Sequence, residues 1–128
     1  MKCTWGLKKM NENNDILLEV KNLNVHYGDL QAVHDVSMSM RKGSMVSIIG
    51  ANGAGKSTLL NSIMGIIKPT NGKVFWKGED ITAMPTNKIA AKRISMAPEG
   101  SRIFEDMTVM ENLLMGAYPH HAKMADKP

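Results

Sequence analysis

Polar and apolar residues alternate in recognisable ways along this chain, and each pattern predicts an element. The run "ILLEVKNLNVHYG" is rich in branched side chains and ends at Gly28-Asp29, as a strand does when it enters a tight turn. In "AVHDVSMSMRKG" the apolar Val36, Met38 and Met40 alternate with Ser37 and Ser39, the period of two expected when one sheet face is buried. The two runs predict an antiparallel pair. Methionines at this spacing read as core filler, because thioether chains pack into irregular gaps.

"MVSIIG" differs in kind: short, almost wholly apolar and closed by glycine, it predicts a strand buried on both faces of a parallel sheet. A glycine-rich loop follows. From Lys56 the pattern turns helical, with Leu60, Ile63 or Met64, and Ile67 at spacings of three and four, and with Gly65 placed for a helix C-terminus. "KPTNGKVFWKGEDIT" reads as a hairpin around the run Val74 to Trp76. "PTNKIAAKR" predicts a short helix capped by Thr86, and "ISMAP" a second buried strand stopped by Pro98. In "TVMENLLMGAY", Thr108 followed by Glu111 forms a capping box, starting a helix expected to end near Gly116 and Tyr118-Pro119.

The chemistry lies in the loop. Gly50-Ala51-Asn52-Gly53-Ala54-Gly55-Lys56-Ser57 satisfies glycine, four residues, glycine, lysine, and serine or threonine. Small residues let backbone N–H groups turn inward and approach phosphate oxygens, and a helix N-terminus adds partial positive charge. Lys56 supplies a mobile ammonium for the outer phosphates, and the Ser57 hydroxyl is placed to ligate Mg²⁺. Strand, glycine loop and helix follow in the order that this mechanism requires.

Composition narrows the reading. With 128 residues, 43% of them hydrophobic, the chain fits one domain. No apolar run approaches the about 18 residues of a membrane-spanning helix, and "MKCTWGLKKMNENND" lacks the apolar stretch of a secretory signal, so the cytoplasm is the expected compartment. The net charge of +4 comes from scattered lysines and arginines, and only 5% of residues are aromatic, which argues for a solvated basic surface and against nucleic acid as a partner. Cys3, in the N-terminal tail, has no internal partner. His26, His34 and His120-His121 have no carboxylate or cysteine arranged around them, so none is assigned to metal.

Taken in order, "VHYG", "IIGANGAGKSTLLNSIMGIIKPTNG", "GEDIT", "MAPEG" and "MTVMENLLMG" resemble the ATP-binding subunits of ABC transporters, closest to the LivF group of the branched-chain amino acid importers. The resemblance runs from about Ile16 to Tyr118; Ser101 stands where arginine is common in that group. It implies an α/β fold, a P-loop NTPase (RecA-like) core with an antiparallel β subdomain. It also gives roles to residues that composition leaves neutral. Tyr27 falls at the aromatic position that stacks on adenine, and Glu99 falls where the family places a residue touching Mg²⁺ or the attacking water. The implied nucleotide-binding set is Tyr27, Gly50, Ala51, Asn52, Gly53, Ala54, Gly55, Lys56, Ser57 and Thr58, with Ser57 and Glu99 for the metal and ATP and Mg²⁺ as ligands.

The family's later motifs would follow Tyr118: the LSGGQ signature, the strand ending in aspartate and glutamate (Walker B), and the switch histidine. None is present, so the resemblance covers a fold truncated before the signature helix and the Walker B strand, with the general base outside the chain. The expected divisions are a tail at 1–14, a nucleotide-binding core at 15–98, a Q-loop region opening a helical subdomain at 99–119, and a tail at 120–128. The implied partners are transmembrane permease subunits, met through the region after Glu99 on the inner face of the membrane, and a second ATP-binding subunit. Two alternatives stand beside the importer ATPase: a nucleotide-binding fragment without turnover, and a nontransport P-loop ATPase.

Overall fold

The computed structural model describes residues 15–100 and 102–121; the expectations for the 1–14 tail, Cys3, Ser101, the side chains of His120 and His121, and the end of the chain from 122 lie outside the described residues. In chain order the elements are β1 (Ile16–Tyr27), β2 (Leu30–Arg41), α1 (Lys56–Ile63), β3 (Asn71–Trp76), β4 (Glu79–Asp80), α2 (Thr86–Ala91) and α3 (Val109–His121). The strands form one antiparallel sheet in the order β2-β1-β3-β4. Both expected hairpins, β1–β2 and β3–β4, are therefore present.

One register defect explains the spacing of the core. In β1 the buried residues are Leu18 and Val20 and then Leu23 and Val25, a switch from even to odd positions. A one-residue slip would turn the second pair to the opposite face unless the strand bulged. The pairing shifts between Val20 and Leu23, and the facing strand makes the same change, from buried Val33 to half-buried Val36, Met38 and Met40. Asn22 and Asp35 both take positive φ there, 46° and 43°. The side chains seal the defect: the Asn22 amide N–H donates to Ser37 Oγ at 2.9 Å and Asn22 Nδ2 donates to Asp35 Oδ1 at 2.9 Å.

The apolar face of this sheet packs on Leu59 and Ile63 of α1 and on Ile81, with Val20, Leu23, Val25 and Val74 almost wholly enclosed. Each such side chain contributes about 1.5–3 kcal/mol relative to exposure. The buried face of α1 is Leu59, Ser62 and Ile63; Ile63 is buried as the pattern suggested, while Leu59 is buried in place of the exposed Leu60. Gly65 ends the helix as expected. Its N–H donates to Ser62 O and that of Ile66 to Asn61 O, the paired bonds that satisfy terminal carbonyls.

Three expectations are corrected. Residues 45–50 and 94–98 form no ladder, although both are apolar; Met45 is 94% and Ile49 85% exposed. An apolar run becomes a strand only where neighbours complete its hydrogen bonds, and among the described residues no strand pairs with either. Thr86 is the first helical residue of α2, not its cap, which is Pro85 in extended conformation. α3 continues through Gly116 and Pro119 to His121. The capping box at its start forms as expected: the Thr108 N–H and hydroxyl both donate to Glu111 Oε2 at 2.8 Å, and the Glu111 N–H donates to Thr108 Oγ1 at 3.3 Å.

Candidate phosphate-binding site

The loop at 50–55 is shaped by two residues in the left-handed region. Gly53 has φ 83° and Gly55 φ 91°, and between them the Ala54 N–H closes a turn on Ala51 O at 3.1 Å. Gly55 caps α1 without any side-chain hydrogen bond, and the first turn of the helix carries no acidic residue. The first rung of the ladder runs from Leu59 N–H to Gly55 O at 2.9 Å, leaving the amides of Lys56, Ser57 and Thr58 outside it. Free N–H donors and an unopposed helix dipole form a site for an anion.

Lys56 reaches back across this loop. Its ammonium donates to the carbonyls of Gly50 and of Ala51, the latter at 2.8 Å, so the positive charge sits at the loop's own entrance. Ser57 is exposed beside it. A hydroxyl of this kind is a hard oxygen ligand, the chemistry Mg²⁺ takes when it keeps several waters and one or two protein ligands. Glu99 offers the same chemistry, but it lies exposed in a coil before Gly100, and among the described residues no hydrogen bond or ion pair joins it to the loop. The structure thus brings Gly50, Ala51 and Lys56 together by direct contact. No group of three metal-ligating side chains occurs among the described residues, and His26 Nδ1 is instead 3.1 Å from Thr70 Oγ1.

The β1–β2 hairpin holds the entry of the helix. A Cβ on Gly55 would stand 2.2 Å from the Ala32 carbonyl oxygen, so glycine is what lets the loop lie against the start of β2. At the end of β1, Tyr27 is half exposed, with its hydroxyl 3.4 Å from Thr58 Oγ1 in the first turn of α1. Tyr27 and Thr58 are therefore adjacent.

Two contributors escaped the sequence reading. The Ala32 carbonyl is a backbone contact and leaves no residue-type signal. Asn112 secures the segment after Glu99: its Oδ1 accepts from the Phe104 N–H at 2.9 Å, and its Nδ2 donates to the carbonyls of Phe104, Met107 and Thr108. An asparagine one turn into a helix was the available signal, since it favours local bonds to backbone. Beside it, the hydrogen bonds from the Thr108 N–H and then its hydroxyl hold the Glu111 carboxyl below the usual range.

Residues 33–127 match the family model described as ABC transporter. The chain is 43% identical over 102 residues to the high-affinity branched-chain amino acid transport ATP-binding protein BraG of Pseudomonas aeruginosa, covering 80% of the chain and 44% of that protein. It is 37% identical over 102 residues to the probable branched-chain amino acid transport ATP-binding protein LivF of Archaeoglobus fulgidus, covering 80% and 43%. Among solved structures, an ATP-binding cassette of an ABC transporter superposes with a TM-score of 0.74 at 33% identity, over 88% of this chain and 47% of that one. The chain spans less than half the length of these relatives. Their shared cassette fold makes this an α/β P-loop NTPase chain with an antiparallel β portion, although the segments at 45–50 and 94–98 lack ladders here. With the glycine loop, the free helix N-terminus and the lysine bridge falling inside the matched residues, the chain belongs to the ABC transporter family as part of an ATP-binding subunit.

Proposed function

We propose that this chain binds Mg-ATP and, within a complete transporter, serves the ATP-driven import of branched-chain or other hydrophobic amino acids. The observation that carries the reading is the loop itself: two left-handed glycines, three amides outside the helix ladder, and the Lys56 ammonium held at the entrance. The naming of BraG and LivF as branched-chain amino acid transport ATP-binding proteins supports the solute class.

In this reading the loop amides and Lys56 hold the phosphates, Tyr27 meets the base, and Ser57 and Glu99 address Mg²⁺. When bound, Mg²⁺ would neutralise charge on the outer phosphates. Phosphoryl transfer depends mainly on positioning and charge, and these are what the loop contributes. Residues 15–98 act as the nucleotide-binding core and 99–119 as the segment that meets the permease. The exposed apolar side chains of α3, Leu114, Met115 and Tyr118, support that assignment, since exposed apolar groups gathered on one element suit a protein contact. The protein then works at the inner face of the membrane without crossing it; no described helix is long and apolar enough to span a bilayer.

The test is uptake of labelled leucine by cells whose own copy of this gene carries Lys56→Ala. Loss of leucine, isoleucine and valine uptake with unchanged sugar uptake supports the reading, and unaltered branched-chain uptake overturns it.

A further inference from the structure

Tyr27 and Thr58 come from elements with no local relation, the end of β1 and the first turn of α1, yet their hydroxyls meet at 3.4 Å. Tyr27 is 49% exposed, so packing alone leaves it considerable freedom. Thr58 is different. It is half-buried, its backbone is fixed by the first turn of α1, and its own carbonyl accepts from Ser62 Oγ at 2.9 Å. A β-branched side chain in a helix also has few rotamers.

The hairpin is pressed against this turn at a second point, where Gly55 lies on the Ala32 carbonyl. The hydroxyl pair therefore joins two surfaces already held in register. From this geometry we infer that Thr58 is a positioning residue for Tyr27, holding the phenol ring at the mouth of the phosphate loop so that base recognition and phosphate recognition are coupled. The inference rests on the Mg-ATP reading above. It adds that the preference for a nucleotide over a bare polyphosphate is set partly by a residue inside the phosphate-binding turn.

Titrating the full chain with Mg-ATP and with Mg-tripolyphosphate, which has no base, separates the two functions. Thr58→Val keeps the side-chain shape and removes the hydroxyl; Tyr27→Phe keeps the ring and removes its hydroxyl. Each is expected to lower the ATP-over-tripolyphosphate preference by about 2-fold, the low end for one hydrogen bond, because the contact is long at 3.4 Å. The double variant is expected to be no worse than either single one, because both lose the same contact. Thr58→Ser, which retains the hydroxyl, is expected to keep the preference.

Losses that multiply in the double variant, or a Thr58→Val that weakens both ligands equally, overturn the coupling while leaving the phosphate loop intact. Failure of the unaltered chain to bind either ligand overturns the underlying Mg-ATP reading instead. Circular dichroism of each variant confirms that the fold is kept.

Discussion

Replacing Gly55 by alanine adds a single methyl group, and the structure says where it goes: 2.2 Å from the Ala32 carbonyl oxygen and 3.4 Å from Val33 Cγ2. Two costs follow. The first is conformational, because Gly55 has φ 91° and an L-residue held in the left-handed region costs about 1–2 kcal/mol. The second is steric. The contact is about 1 Å too short, so either the helix entry or the start of β2 must move, and overpacking of this kind costs about 1–3 kcal/mol. The sum is about 2–5 kcal/mol, a large share of the stability of a small domain.

Gly53 provides the control. It has nearly the same backbone angle, φ 83°, but an added Cβ meets nothing within 4 Å. Gly53→Ala is therefore expected to cost only the conformational part, about 1–2 kcal/mol. Urea unfolding followed by circular dichroism measures both variants against the parent chain. Equal destabilisation by the two substitutions would refute the claim that the loop is seated on β2 through Gly55.

Other expectations are simpler to state. Leu23→Ala empties a fully enclosed position between the sheet and its neighbours and should lower stability by about 2–5 kcal/mol in the same unfolding assay. Thr108→Ala removes the capping box of α3; a cost of about 1 kcal/mol is expected, seen as faster amide exchange in the first turn of that helix. Asp80 is depressed from the ordinary 3.8 to about 2, chiefly by the hydrogen bond from the Thr82 hydroxyl, then by the Thr82 N–H and Lys73. A depressed folded pKa stabilises the fold above the ordinary value and loses that contribution as pH falls toward 2. The carboxylate is 42% exposed, so solvent screening holds the effect to about 0.5 kcal/mol or less. The melting temperature of Asp80→Asn should thus lie slightly below that of the parent at pH 6 and converge with it near pH 2.

The sequence was legible where an element is decided by its own residues. The alternation of Val36, Met38 and Met40 with serines, the Thr108–Glu111 box and the Gly65 stop all appear as read, because each depends on local bonds or on a single buried face. The runs at 45–50 and 94–98 were misread because strand formation is a property of neighbours, and no residue in either run supplies one. The bulge at Asn22 and Asp35 could have been found: the change of parity between Val20 and Leu23 demands it. In the site, the glycines, Lys56 and Ser57 were fixed by spacing alone. Tyr27 came from resemblance, and its contact with Thr58 depends on how a hairpin and a helix meet, which no linear spacing encodes.

The central claim is that 50–58 grips the phosphates of a nucleotide, and calorimetric titration of the chain with Mg-ATP, beside Lys56→Ala, tests it most directly. Lys56 makes charge-assisted contacts, so its loss should weaken binding at least about tenfold. Saturable binding by the parent chain that Lys56→Ala lowers by that factor is the predicted result. Titrations that coincide, with both proteins folded, would contradict the account.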